Sequence, residues 1–238
     1  LAGDLPRAGR FAEQAVEAGE AEGLPVALVV GLNVMATLAG RAGDLARART
    51  LARRSIGAAR KAGARRQEGL AWFTLAETEL HAGEYERARA AGTHALEPLR
   101  AIQDHEGMAI TLARLGLADV LSERDADAVA ELREALEHVE LLSFWETGAW
   151  CCDGLALLAA RCGDSIGAAR LLGAAETLLQ AGGGVLQPAE ETAREATLSA
   201  IHGRAPDNEL EAARAAGAHS TPEEAIARAR SVAASLPA

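Results

Sequence analysis

Nine residues, RAGDLARAR at positions 41–49, return as HAGEYERAR at 81–89. A chain that repeats itself at a fixed interval builds copies of one unit, each burying its apolar face against its neighbours. No other feature of this sequence constrains the fold as tightly. Gly3, Gly43, Gly83 and Gly163 fall on a spacing of 40, with Glu123 in the register left over, while Ala8, Ala48, Ala88, Ala128 and Ala168 occupy every register. An acid follows the glycine at Asp4, Asp44, Glu84 and Asp164.

Glycine followed by an acid is a helix stop and then a helix start. The glycine takes the left-handed conformation beyond the C-cap, and the acid accepts from the free N–H groups of the next helix. Amphipathic runs flank this corner, for example Gln67 to His81 and Glu84 to Leu99, and Pro25, Pro98 and Pro188 read as boundaries. Helices of about 17 residues would be ~25 Å long. Small residues recur where such helices cross: Ala36, Ala76, Gly116 and Ala156 in the first helix of each unit, Ser55, Ala95, Ala135 and Ala175 in the second. Only 3% of the chain is aromatic and alanine and leucine dominate, which favours an all-α class over a sheet.

The order bulky, leucine, small, alanine, alanine in Trp72, Leu75, Ala76, Ala88 and Ala95 resembles the tetratricopeptide repeat, with a period of 40 in place of 34. That resemblance implies a right-handed α-α superhelix of helical hairpins. Arg170 to Glu176 (RLLGAAE), Pro188 and Thr221 to Ala225 (TPEEA) resemble the closing segment of the helical C-terminal region of LuxR-class and STAND ATPase regulators of bacteria. The family's phenylalanine and Ala-Trp pair between these points are absent here, where Leu210, Ala213 and Arg214 stand. The expected organisation is a repeat array over residues 1–181, its first unit lacking a helix because Gly3 and Asp4 already form a corner, and capping helices over 182–238. Gly182 to Gly184 reads as a flexible break, and Thr221-Pro222-Glu223-Glu224 as a strong helix start.

The net charge of −10 opposes direct binding of nucleic acid. The densest basic run, with Arg53, Arg54, Arg60, Lys61 and Arg65, reads as the solvated face of a helix. Leu24 to Gly40 carries no charge over 17 residues, yet its counterparts one and two periods on hold Glu77, Glu79, Arg114 and Asp119, so a buried helix is expected rather than a membrane span. Cys151, Cys152 and Cys162 match no disulfide framework or zinc spacing and read as small packed hydrophobes of a reducing cytoplasm. The six histidines are scattered, and no nucleophile–base pair, phosphate loop, metal site or cofactor motif can be read.

The expectation is therefore a non-catalytic domain that binds a protein, peptide or small-molecule effector in a concave groove. By the tetratricopeptide register that groove holds Asn33, Arg41, Phe73, Glu77, His81, Trp150, Asp153 and Arg161. The regulator resemblance implies that this is the sensor arm of a larger cytoplasmic polypeptide whose other domains hydrolyse nucleotide and bind DNA. The alternative is a stand-alone scaffold that docks a peptide or protein.

Overall fold

A computed structural model describes residues 5–237; Gly3 and Asp4, the first expected corner, lie outside the described residues. Every element among the described residues is a helix, as the composition requires. Nine helices begin twenty residues apart: α1 (Leu5–Ala21), α2 (Pro25–Arg41), α3 (Leu45–Ala62), α4 (Arg65–His81), α5 (Tyr85–Ala101), α6 (His105–Leu121), α7 (Asp125–Leu142), α8 (Trp145–Arg161) and α9 (Ser165–Gly182). Three more follow on a looser spacing: α10 (Pro188–Ile201), α11 (Asp207–Ala218) and α12 (Pro222–Ser235).

The true step is twenty residues, half the sequence period. Positions 23, 43, 63, 83, 103, 123, 143, 163, 183 and 203 all have positive φ. Seven are glycine, and the other three are Gln103 at 56°, Glu123 at 62° and Ser143 at 55°. Every corner from α1 to α11 therefore carries one left-handed residue after the helix, whether it lies within a hairpin or between hairpins, and only the α11–α12 corner lacks one. Glu123 performs the same turn without glycine's freedom, at a cost of about 1 kcal/mol. The acids cap as expected at Asp44, which accepts from Arg47 N–H (3.1 Å), and at Asp164, which accepts from Gly167 N–H (2.8 Å). Glu84 sits at the N-cap position without a side-chain cap bond. Thr221 and Glu224 form a full capping box with Pro222 at the first helical position.

Three local expectations change. Pro98 does not end its helix: it lies inside α5, whose last residues run on to Ala101. One turn from the end its missing N–H frees only the carbonyl of His94, a loss the helix tolerates there. Gly182 to Gly184 is a capped corner rather than a flexible break, with Gly183 N–H donating to the Gln180 carbonyl (3.2 Å) and Gly184 N–H to that of Leu179 (3.0 Å). Cys162 is exposed at the C-cap of α8, whereas Cys151 and Cys152 are buried within it.

The chain divides into two compact units, Leu1–Thr111 and Leu112–Ala238. In the first, α1 to α5 pack each on the next, and α2 also meets α4. Ala36 of α2 and Ala48 of α3 are fully buried, and Ala76 and Ala88 are buried one period later. The Ser55 hydroxyl, in the register of Ala95, stays satisfied in the core by donating to the Val29 carbonyl (3.1 Å). In the second unit α7, α8 and α9 continue the same packing, α10 lies on α8, α11 on α9, and α12 across α7, α8 and α9. Ala128, Ala135, Ala156, Ala168 and Ala175 are all fully buried there. Gly116 admits Leu132 so closely that a β-carbon would come within 2.7 Å of it. Small residues set how near these helices approach, as the repeat foretold.

Candidate functional site

In the first unit, alternate members of the stack bring their same faces together. Helices α2 and α4 each run antiparallel to α3 and hence parallel to one another, and α6 begins beside them. A cleft of about 420 Å³ opens between the three. Its centre is apolar, with Val30, Val34 and Leu38 from α2, Leu70 and Phe73 from α4, and Ile110 from the start of α6. Three periodic positions, Val30, Leu70 and Ile110, thus point one side chain each into a shared space, because they stand forty residues apart on equivalent helices.

Polar groups punctuate this apolar floor. Asn33 places its side-chain oxygen out of reach of solvent with no donor bonded to it. The hydroxyl of Thr74 is already committed to the Leu70 carbonyl (2.9 Å) and offers an occupant only its lone pairs. Arg41, in the last turn of α2, lines the cleft, is exposed, and makes no hydrogen bond or ion pair among the described residues. Arg66 also lines it but is held by Asp104 (2.7 Å) and Glu106 (2.9 Å). A buried unpaired acceptor costs about 1–3 kcal/mol, so Asn33 gains from any occupant that donates to it.

Of the residues expected in a groove, the structure brings Asn33, Arg41 and Phe73 into this one cleft. Glu77 and His81 lie further along α4, four residues apart, with His81 Nε2 3.9 Å from the Glu77 carboxylate. Trp150, Asp153 and Arg161 belong to the second unit and meet other surroundings. There α10 lies on the face of α8 that bears them. Asp153 is 1% exposed and receives both prongs of Arg194 from α10, at 2.8 and 3.2 Å. Trp150 is buried beneath the guanidinium of Arg114, 3.6 Å from the ring centre. Arg114 in turn pairs with Glu190 of α10, each side chain 2% exposed. Arg161 donates to the Val120 carbonyl (2.9 Å) and to Asp125, tying the end of α8 to the corner before α7.

Burial sets the ionisation of three groups on this buried helix. It pushes the Asp153 carboxyl up to about 7 against the opposing pull of Arg194, and it raises the thiols of Cys151 and Cys152 far above their ordinary range. Neither thiol is a nucleophile at neutral pH. Among the described residues, no three His, Cys, Asp or Glu side chains converge as a metal site would need, and no helix is long and apolar enough to cross a membrane.

The register that is open in the first unit is filled in the second by the chain's own helix. Trp150 and Asp153 stand eighty residues after Leu70 and Phe73, and 120 after Val30 and Asn33. Sequence periodicity identified the face but not Glu190, Arg194 or Arg114, which complete the second cluster. Arg114 alone carried a signal, as a charge inside an otherwise apolar run. The sequence matches no family model, and comparison with curated proteins and with solved structures found no match.

Proposed function

We propose that this chain is a non-catalytic interaction module that takes an effector or partner segment in the α2/α4/α6 cleft. We read it as the regulatory arm of a larger cytoplasmic signal-transducing ATPase or transcription regulator of bacterial type. The cleft carries the reading: an apolar floor bearing one buried, unbonded acceptor at Asn33 and one uncommitted cation at Arg41. An occupant that suits it has an apolar body, a donor for Asn33 and a negative group for Arg41. The closing RLLGAAE and TPEEA stretches support the regulator assignment by resemblance alone.

A second reading, a scaffold that docks a helical segment, is favoured by α10. That helix shows the same register of these hairpins covered by a helix, with Arg194 and Glu190 reaching charged partners on the floor. Thermal unfolding across a library of metabolites and of amphipathic peptides tests both readings. A ligand at a hundred times its Kd adds about 2.7 kcal/mol of stability by mass action. A rise in Tm in wild type that is lost in Asn33→Leu and Phe73→Ala supports the cleft, and the chemical class of the hit chooses between effector and segment. No shift with any compound or peptide, or a shift the two variants retain, refutes it.

A further inference from the structure

A second cavity of about 440 Å³ lies between α3, α4 and α5, in the first unit, and the effector cleft does not include any of its residues. Its floor is aromatic: the rings of Trp72 and His94 stand 4.7 Å apart, tilted by 31°. Its mouth is cationic. Arg53, Arg60 and Arg87 line it, and the guanidinium of Arg60 lies 5.3 Å from the centre of the Trp72 ring. The one carboxylate in the lining, Glu79, is already neutralised by the two-pronged grip of Arg49 at 2.8 and 3.0 Å.

Two groups here are uncommitted. Arg53 makes no hydrogen bond or ion pair among the described residues, and the indole N–H of Trp72 is buried without an acceptor. Arg60 is shared with Glu68 (2.6 Å), and Arg87 reaches Glu84 only at 3.7 Å across exposed positions, where water screens the pair. Three guanidinium groups thus surround an aromatic recess, in a chain whose net charge is −10. The basic run of α3 is exposed, as expected of a solvated face, and its Arg53 and Arg60 also line this recess. Guanidinium groups recognise carboxylate, sulfonate and phosphate oxygens, while indole and imidazole rings favour flat apolar bodies.

We propose that this recess binds a small aromatic anion, a planar ring bearing one carboxylate, sulfonate or phosphate, at a site separate from the effector cleft. The ring occupies the Trp72 and His94 side, the anionic group lies between Arg53 and Arg87, and an acceptor on the ligand satisfies the Trp72 N–H. Because all three cations are exposed, binding weakens as salt rises.

The probe is 8-anilinonaphthalene-1-sulfonate, titrated into the full chain and read by its own emission under direct excitation, with uncharged N-phenyl-1-naphthylamine as the control. The sulfonate is expected to bind wild type at least tenfold more tightly than the uncharged compound. Arg53→Glu/Arg87→Glu is expected to lose about tenfold or more of that affinity, since each reversed cation near the surface changes binding by roughly 1 kcal/mol. Trp72→Phe, which keeps the ring and removes the N–H, is expected to weaken binding by a smaller factor. Phe73→Ala should leave the affinity within twofold of wild type, and far-UV circular dichroism confirms that each variant is folded. Equal affinity for the charged and uncharged compounds, full affinity in the double arginine variant, or loss of binding in Phe73→Ala in place of it would each overturn the proposal. Because Phe73→Ala reports the effector cleft and the arginine variant this recess, either site can fail alone.

Discussion

One substitution, glycine to alanine, is expected to act with opposite sign at two helical positions. Gly57 in α3 has open space where a β-carbon would project. Alanine there removes the backbone entropy penalty of a mid-helix glycine and raises stability by about 0.5–1 kcal/mol. Gly173 in α9 lies where α11 crosses, and its β-carbon would meet the Arg214 carbonyl and come within 2.8 Å of Ala218 N. Gly217 of α11 is its counterpart, facing the Arg170 carbonyl and Ala174 N at 2.8 Å. The opposing atoms are backbone, so no rotamer change relieves the clash. Restoring an ordinary 3.4 Å from 2.8 Å parts the helices by at least 0.6 Å. That shift stretches the bond from the Thr177 hydroxyl to the Ala218 carbonyl (2.9 Å) and loosens buried Ala213.

Overpacking of this kind costs about 1–3 kcal/mol, against which alanine's helix preference returns about 1. The clash at Gly173 is with backbone, which places its cost at the upper end of that range, so Gly173→Ala should lose about 2 kcal/mol net while Gly57→Ala gains. The assay is urea unfolding followed by far-UV circular dichroism, with tryptophan emission to distinguish the units: Trp72 reports the first, Trp145 and Trp150 the second. Gly173→Ala should lower the midpoint seen from the second unit, and Gly57→Ala should raise the one seen from Trp72. A Gly173→Ala chain as stable as wild type would refute the claim that glycine is there for helix approach.

The second unit yields further predictions. Glu123→Gly relieves a left-handed glutamate and should raise stability by about 1 kcal/mol in the same urea assay. Glu190→Gln removes the carboxylate that pairs with buried Arg114 and should lower stability, whereas Arg114→Met with Glu190→Leu should recover most of that loss; no recovery would mean that the pair itself holds α10. Burial holds the Asp153 carboxyl up to about 7 in the folded chain, against 3.8 as its ordinary value, so folding takes up a proton between these values. The stability it contributes is full below about pH 4 and is lost as pH rises through about 7, a fall that urea midpoints should show in wild type and not in Asp153→Asn. Iodoacetamide should label one thiol of the folded chain, Cys162, and three after denaturation; labelling of Cys151 or Cys152 under native conditions would contradict their burial.

Much of the fold was legible because the repeat writes it in small residues. Ala48, Ala88, Ala128 and Ala168 occupy buried positions of like kind, as a period of 40 demands. The twenty-residue step was harder to see, since Gln103, Glu123 and Ser143 interrupt the glycine series while keeping its backbone conformation. A left-handed corner needs only a positive φ, and a sequence shows that need only where glycine supplies it. Pro98 misled for the converse reason: proline ends a helix by removing a donor, and near the C-terminal end little depends on the donor it removes.

Periodicity names a face, but what covers that face depends on residues outside the period. Phe73 and Asp153 share a register, yet one lines an open cleft and the other is buried against Arg194, forty-one positions further along the chain. Nothing in the local pattern of α8 announces that partner, because α10 follows no twenty-residue spacing and Arg194 looks like any other helix arginine. The informative signal is chemical. A carboxylate in the middle of a buried helical stretch, as Asp153 is in GAWCCDGLALLAA, costs several kcal/mol to bury unless a cation meets it. The first-unit residues in that register, Phe73 and Asn33, carry no charge and demand no such partner, so the same hairpin geometry leaves their cleft open to an occupant from outside.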